Sequence, residues 1–162
     1  MKLSMIAAMS RNSVIGIENK MPWHLPEDFK WFRKHTLNKP ILMGKNTFLS
    51  IGKPLPNRQN LVLTNSKDFY HSGVEIFNSF DQAIDAYKNT PEIMIIGGAK
   101  VYEEHIDKVD TLYLTTVNIH LEGDAFFPDI EKNKWKTAFT KTFKSDDCNQ
   151  YDLDFFILNR VR

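Results

Sequence analysis

The stretch IMIIGGAK, residues 93–100, indicates the fold class, because a strongly apolar run leads here into a glycine pair and a lysine. The apolar run Ile93–Ile96 shows little alternation, as in parallel strands that are covered on both faces. Gly97 and Gly98 then permit close backbone approach at the start of a predicted helix, Ala99–His105. A buried strand followed directly by a helix is typical of an α/β sheet.

The same pattern extends outward in both directions. Further strands are predicted at Leu3–Met9, Ile41–Met43, Leu61–Thr64 and Val74–Phe77. The other predicted helices are Pro26–Leu37, Asn46–Ser50 and Phe80–Lys88, the last with a capping-box spacing of Ser79 and Gln82. After residue 110 the predicted strands follow one another without helices, at Thr111–Asn118, Trp135–Phe143 and Tyr151–Arg160. We therefore predict an α/β fold whose mostly parallel sheet ends in an antiparallel C-terminal hairpin.

Length and composition restrict the classes of protein. The 162 residues predict one domain, residues 1–162, and the net charge of +1 argues against a nucleic-acid partner. A single cysteine, Cys148, excludes an intrachain disulfide and a multi-cysteine zinc site. No apolar run approaches the roughly 20 residues of a membrane-spanning helix, and Leu3–Met9 lacks a following cleavage site. We expect a cytoplasmic protein without a membrane partner.

Several common catalytic motifs are missing from the sequence. There is no G-x-G-x-x-G, and Gly44-Lys45-Asn46 lacks the Ser or Thr that follows the lysine of a P-loop. Ser50 lacks the flanking glycine of a nucleophile elbow, since Phe48 lies two residues before it. The histidines form no close ligand pair, so we predict no metal site and expect all of them on the surface or in loops: His24, His35, His71, His105 and His120. A hydrolase, a kinase and a zinc enzyme are disfavoured.

Two carboxylates, Glu27 and Asp28, begin the first predicted helix after Pro26. On a helical wheel the core-facing stripe is predicted to contain Leu25, Phe29, Phe32 and Thr36. Asp28 lies about 40° from Phe32 and Glu27 about 140° from it. Glu27 is therefore interpreted as a solvated charge. Asp28 is either a first-turn acid favoured by the helix dipole or a functional acid beside aromatic residues, and the pattern leaves both interpretations open.

Two strand-to-helix turns each carry glycine and lysine. Gly97-Gly98-Ala99-Lys100 follows one predicted strand, and Gly44-Lys45-Asn46-Thr47 follows another. Both turns lie at carboxyl ends of strands, the edge of an α/β sheet where ligands bind. A pyrophosphate-bearing cofactor that bridges the two turns would account for both.

Six blocks, in order, resemble the dihydrofolate reductase family: MPWHLPEDF at 21–29, KPILMG at 39–44, SIGKPLPNR at 50–58, IIGGA at 95–99, LYLT at 112–115 and EGDAFFP at 122–128. The resemblance covers nearly the whole chain. It implies an eight-stranded, mostly parallel sheet flanked by four helices. It also implies reduction of 7,8-dihydrofolate to tetrahydrofolate with NADPH, in one-carbon metabolism, by a monomer.

The resemblance assigns substrate roles to particular residues. Asp28 would bind the amino-pyrimidine ring of the pterin, with Thr115 as its hydroxyl partner, and Arg58 would pair with the glutamate carboxylate. Met21 would close over the site, and Trp23 belongs to the same catalytic group. The remaining substrate contacts would come from Ile6, Ala8, Phe29, Phe32, Ile51, Lys53, Leu55 and Ile96.

The resemblance also implies a binding site for NADPH. The nicotinamide side would be formed by Ala8, Val14, Ile15, Gly16, Ile17, Glu18, Asn19 and Lys20. The pyrophosphate region would be held by Gly44, Asn46, Thr47, Gly97, Gly98, Ala99, Val101 and Tyr102. The 2′-phosphate and adenine would be surrounded by Lys45, Thr64, Asn65 and Lys100.

The chain departs from the bacterial family pattern at four positions. Lys45 and Lys100 replace the common arginines, which keeps the positive charge but loses the planar guanidinium. Asn57 replaces a glycine, and asparagine tolerates a positive φ better than most residues. Ala99 replaces the third glycine at a position where a helix is predicted to have begun. We therefore expect the fold and the NADPH preference to be retained.

Two other functions remain as alternatives. A pyrimidine reductase of riboflavin synthesis has a related fold and uses NADPH, but it would not need Asp28, Trp23 and Arg58 together. A non-catalytic nucleotide-binding module would explain the two glycine turns, but it would not explain an acid beside Phe32.

Overall fold

The computed structural model describes residues 1–17 and 20–162 of the chain. Within those residues the α-helices are α1 (Pro26–Thr36), α2 (Lys45–Ile51), α3 (Phe80–Ala86) and α4 (Ala99–His105). The strands are β1 (Lys2–Ser10), β2 (Val14–Gly16), β3 (Ile41–Gly44), β4 (Asn60–Leu63), β5 (Val74–Phe77), β6 (Glu92–Gly97), β7 (Thr111–Val117), β8 (Ala125–Phe126), β9 (Trp135–Phe143) and β10 (Leu153–Arg160). Short 3-10 turns occupy Ile106–Lys108 and Lys132–Lys134.

In the described part of the chain, eight strands form one sheet in the order β5-β4-β3-β6-β1-β7-β10-β9. The strands from β5 to β7 pair in parallel. Strand β10 pairs antiparallel with both β7 and β9. The arrangement confirms the predicted α/β fold with its antiparallel C-terminal hairpin. Strand β6 lies between β3 and β1, so the chain reverses its direction of winding there, and crevices at such points bind ligands.

The apolar strands are explained by two hydrophobic cores, one on each face of the sheet. On β6, Ile93 and Ile95 join the core beneath α3 and α4, whereas Met94 and Ile96 join the core beneath α1 and α2. Because successive side chains point to opposite faces, a strand covered on both sides must be apolar at every position. Helices thus cover both faces of the parallel part of the sheet.

The predicted core stripe of α1 is partly wrong. The helix buries Asp28, Trp31 and Thr36, whereas Phe29 is 43% exposed and Phe32 is half-buried. Trp31 stacks on Phe155 of β10 with ring centroids 4.7 Å apart, which fixes the buried face. Aromatic character alone selected Phe29 and Phe32, but both residues line a cavity, and Phe32 packs against the edge of the core as well.

The small sheet of β2 and β8 was not predicted from the sequence, because each strand is very short. The two strands pair antiparallel, and Gly123 packs tightly against β2. A Cβ atom at position 123 would lie only 2.9 Å from the carbonyl oxygen of Gly16. The requirement for glycine here is steric.

Several local predictions are confirmed by the backbone. Asn57 has a φ of +62°, and α4 begins at Ala99. The hydroxyl of Ser79 accepts a hydrogen bond from the backbone N–H of Gln82 at the start of α3. Helix α3 ends earlier than predicted, at Ala86. No helix within the described residues is long and apolar enough to cross a membrane.

Candidate active site

A cavity of about 1000 Å³ opens at the carboxyl ends of β1, β3, β4 and β6. Its substrate-side lining includes predicted residues from β1, α1, α2, the loop after α2 and β6, namely Ile6, Ala8, Asp28, Phe29, Phe32, Ile51, Leu55 and Ile96. Its cofactor-side lining includes Ile15, Gly16, Lys20, Gly44, Lys45, Asn46, Thr47, Thr64, Asn65, Gly97, Gly98, Ala99, Lys100, Val101 and Tyr102. The fold therefore gathers most residues of both predicted sets around one cavity.

Asp28 is a buried carboxylate within this cavity. Asp28 is only 5% exposed, and the hydroxyl of Thr115 donates a hydrogen bond to Asp28 Oδ1 at 2.7 Å. Burial raises the pKa of Asp28 to about 6, and the hydrogen bond from Thr115 opposes that rise. The carboxylate is thus mostly ionised at pH 7. It can accept hydrogen bonds from a ligand that presents N–H groups.

The raised pKa of Asp28 has a cost in stability. The folded state binds this proton more tightly than the unfolded state does, so the free energy of unfolding falls as pH rises from about 4 through 6. Above pH 6 the protein carries the full cost of a buried charge. A group held at such a cost is typical of functional sites.

The neighbouring acid has a different environment, as predicted. Glu27 is half-buried on the other side of α1, and its carboxylate lies 3.6 Å from the ammonium group of Lys30. Glu27 does not line the cavity within the described residues. The two acids are neighbours in the sequence, but the period of the helix places their side chains on different sides of α1.

The first turn of α1 is capped by a distant residue, Asn149. The N-cap residue Leu25 has no side-chain acceptor, and Asn149 Oδ1 accepts the backbone N–H of Glu27 at 3.0 Å instead. Asn149 is 3% exposed, and its amide group donates to Asp146 Oδ1 at 3.0 Å. The loop between β9 and β10 thus fixes the turn that carries Asp28. Sequence reasoning missed Asn149, because no local pattern links positions 122 apart.

We expect Asn149→Ala to lower the free energy of unfolding by about 1 kcal/mol, the usual value of a helix cap. The substitution leaves the Glu27 N–H without its acceptor. Urea denaturation at pH 7 measures the change. Asp147→Ala, an exposed change in the same loop, is the matched control. Equal midpoints for the wild type and Asn149→Ala would show that the cap contributes nothing.

Arg58 lies next to the cavity, beyond the apolar side chains of Phe32 and Leu55. Its guanidinium donates from Nη1 to Thr36 Oγ1 and from Nε to the carbonyl oxygen of Pro56, both at 2.9 Å. Thr36 is one turn of α1 beyond Phe32, so Arg58 is held just past the wall that Phe32 and Leu55 form. Burial and the nearby Arg33 lower the pKa of Arg58. Two cations close together favour an anionic ligand.

Of the other predicted site residues that the structure describes, Met21 lines the cavity and the rest do not. Trp23 is buried, and its indole N–H has no hydrogen-bond partner in the described structure. Met21 is 49% exposed and lines the cavity, whereas Lys53 is exposed and does not line it. Val14 and Ile17 also lie away from the lining, and Thr115 reaches the site through Asp28. Glu18 and Asn19 are outside the described residues.

The glycine turn between β6 and α4 forms a close-fitting cradle. Gly97 has a φ of +134°, and its peptide bond with Gly98 is cis. A Cβ atom at Gly98 would lie 3.1 Å from Thr47 Oγ1, so side chains here would fill the gap between the two turns. The hydroxyl of Tyr102 donates to the carbonyl oxygen of Ile6 at 2.6 Å and ties α4 to β1. Backbone without side chains between the two turns fits the pyrophosphate of a dinucleotide.

The whole chain was compared with known families. The family model for dihydrofolate reductase matches residues 2–160. The chain belongs to the dihydrofolate reductase family.

Individual dihydrofolate reductases resemble this chain along their full length. The enzyme of Haemophilus influenzae is 45% identical over 160 residues, which are 99% of each chain. The type 3 dihydrofolate reductase of Salmonella typhimurium is 42% identical over 162 residues and all of both chains. The structure of the dihydrofolate reductase from Enterococcus faecalis, complexed with NADP(H) and RAB-propyl, is 35% identical. It aligns with a TM-score of 0.93 over 99% of this chain and 97% of that one.

This dihydrofolate reductase family member also has cavity residues that sequence reasoning missed. They are Ala7, Ser50, Leu63, Asn78, Ser79, Phe80, Glu104, His105 and Ala125. His105 was expected on the surface, but it is buried and stacks on Phe80 with ring centroids 3.8 Å apart. The expectation was also wrong for His35, which packs between Trp31 and Tyr113. Neither histidine stands in a motif that reveals its aromatic partners.

Proposed function

We propose that this chain catalyses the NADPH-dependent reduction of 7,8-dihydrofolate to 5,6,7,8-tetrahydrofolate. The observation that carries the proposal is the buried Asp28–Thr115 pair in a cavity that also holds Lys45 and Lys100. Membership of the dihydrofolate reductase family supports the same reaction. Mixing the protein with dihydrofolate and NADPH and following the nicotinamide absorbance tests it. A protein that binds NADPH but leaves dihydrofolate unchanged would refute the proposal and favour a nucleotide-binding module.

The substrate is proposed to lie along α1. The ionised Asp28 accepts hydrogen bonds from the amino-pyrimidine ring of the pterin, and the hydroxyl of Thr115 holds the carboxylate in position. Phe29, Ile51 and Leu55 contact the aminobenzoyl ring, and Phe32 contacts the pterin. From Asp28 to Thr36, the partner of Arg58, the helix extends about 12 Å. Arg58 is thus placed to receive the glutamate carboxylate at the far end.

Asp28 and the surrounding apolar residues prepare the pterin for reduction. NADPH, held by the residues of the cofactor side, would supply the hydride that reduces C6 of the pterin. The charge of Asp28 favours protonation of the adjacent N5, and water delivers that proton. Met21, on the loop that follows β2, covers the mouth and limits access of bulk water. Trp23 supports the first turn of α1 from the buried side.

The cofactor is proposed to extend from the nicotinamide side, at Ala8 and Ile15, across the Gly97–Gly98 turn. Thr47 and Asn46 meet the pyrophosphate from α2. Lys45, Thr64, Asn65 and Lys100 surround the 2′-phosphate and adenine, all on the lining of the same cavity. Lysine contacts a phosphate as a point charge rather than as a planar fork.

We expect Lys45→Ala to weaken NADPH binding by about tenfold or more and NADH binding much less. The reason is that a charge-assisted contact is worth roughly 1.5–3 kcal/mol and only NADPH carries the 2′-phosphate. Dissociation constants from quenching of protein fluorescence measure both. Lys88→Ala, on an exposed lysine paired with Asp85, is the control for loss of one charge. Equal losses for the two cofactors would exclude a contact between Lys45 and the 2′-phosphate.

We also propose that the chain acts as a monomeric, single-domain enzyme in the cytoplasm. One family match covers residues 2–160, and the cysteine Cys148 is exposed and free, as a reducing compartment favours. Size-exclusion chromatography of the purified protein tests the monomer. Fractionation of the cells that produce it naturally tests the compartment.

A further inference from the structure

We propose that Glu104 is a specificity residue that weakens the preference for NADPH over NADH. The inference rests on the proposed function, because it concerns the end of the cavity assigned to the 2′-phosphate. It is independent of the pterin site. Glu104 was not among the residues that the sequence singled out, and its role follows from its position and its charge.

Glu104 shares the cavity with the two lysines. The side chains of Lys45, Lys100 and Glu104 all belong to its lining. Glu104 Oε1 lies 3.9 Å from Lys100 Nζ, one turn away on α4. The Glu104 side chain is 52% exposed, so the carboxylate is accessible to a ligand in the cavity. An incoming 2′-phosphate must therefore approach Lys100 next to a competing anion.

The charges at this end of the cavity favour the phosphate only weakly. His105 also lines the cavity, and its Nε2 lies 3.8 Å from Glu104 Oε2, but burial and the nearby Lys108 lower the pKa of His105 and so disfavour its charged form. Among the described residues, the ionised groups that line this end are two lysines and Glu104. Glu104 therefore offsets half of the positive charge that a dianionic phosphate would meet.

The same carboxylate affects NADH differently. The adenosine ribose of NADH carries a 2′-hydroxyl, a hydrogen-bond donor that a carboxylate accepts well. Glu104 therefore weakens the binding of NADPH, whereas it leaves the binding of NADH unchanged or strengthens it. Because Lys100 and Glu104 are both solvent-exposed, screening limits the effect to about two- to fivefold.

The test compares Glu104→Gln with Glu103→Gln. Both variants remove one negative charge from α4, but Glu103 is exposed and lies outside the cavity lining. Dissociation constants for NADPH and NADH are measured by fluorescence quenching without substrate. We expect Glu104→Gln to lower the Kd for NADPH about two- to fivefold and to leave the Kd for NADH unchanged or raised. Glu103→Gln should change the ratio of the two constants little. High salt should reduce the gain for NADPH.

Two results would overturn the inference. One is a ratio of the two dissociation constants in Glu104→Gln that equals the wild-type ratio, and the other is the same selectivity change in Glu103→Gln. Assays of the wild-type protein distinguish a failure of the proposed function from a failure of this inference. A wild type that binds NADPH but does not reduce dihydrofolate refutes the function and leaves the selectivity test in force. A wild type that binds neither cofactor refutes both.

Discussion

Asp28→Asn is expected to slow hydride transfer by about 10²- to 10³-fold near pH 7, the usual effect of removing a preorganised electrostatic group. The asparagine oxygen can still accept the hydrogen bond that Thr115 donates, so the geometry is retained while the charge is lost. Without that charge, N5 of the pterin is protonated by solvent alone. The rate of the variant should therefore rise steadily as pH falls. Single-turnover absorbance measurements from about pH 5 to pH 9 record the two profiles.

The wild-type profile should differ in shape from that of the variant. The pKa of Asp28 is raised to about 6 in the free protein, so protonation of the carboxyl removes its charge at acidic pH. The advantage of the wild type over Asp28→Asn should therefore be large above pH 6 and shrink below it. Glu27→Gln serves as the neighbouring control and should leave the rate nearly unchanged. A pH-independent, wild-type-like rate in Asp28→Asn, or a collapse of activity in Glu27→Gln, would contradict the assignment.

Arg58→Leu is expected to raise the Michaelis constant for dihydrofolate by about 30-fold or more. Loss of a partner for a carboxylate costs on the order of 2 to 5 kcal/mol. Thr36 and Pro56 hold the guanidinium in place, so little ordering of Arg58 is needed when a carboxylate binds. Steady-state kinetics with saturating NADPH measure the effect, and kcat should change much less than KM.

A dihydropterin substrate without the glutamate tail provides the control for Arg58. Its KM should be the same in the wild type and in Arg58→Leu, because it has no carboxylate to lose. A similar rise in KM for this truncated substrate would mean that Arg58 acts by supporting Thr36 and the end of α1. The assignment of Arg58 to the tail would then be rejected.

The parts of the fold that could be predicted depend on local patterns. Uninterrupted apolar runs such as Ile93–Ile96 predicted strands covered on both faces, and the structure has a core on each side of them. Asn57 and Ala99 likewise have the backbone conformations expected from their residue types. The two glycine turns correctly indicated which edge of the sheet carries the ligand cavity, since such turns lie at the carboxyl ends of the strands.

The parts that could not be predicted depend on contacts between distant segments. The buried face of α1 is set by Trp31 against Phe155, and apolarity alone placed the stripe on Phe29 and Phe32 instead. His105 is buried by Phe80, and no pattern around position 105 reveals that pairing. Glu104 lines the same cavity as Lys45, although the two residues are far apart in the sequence. Such features need the assembled tertiary structure.

The cap that Asn149 places on α1 has a consequence for how the protein is made. A ribosome releases the helix with Asp28 early, the strand with Thr115 later and the capping loop almost last. A nascent chain that stops before position 149 contains the acid but lacks the group that secures its first turn. The first turn of α1 therefore gains its cap only when the loop between β9 and β10 docks. A ligand of the cavity that contains Asp28 consequently favours finished molecules, and by mass action it stabilises the whole polypeptide rather than its amino-terminal half.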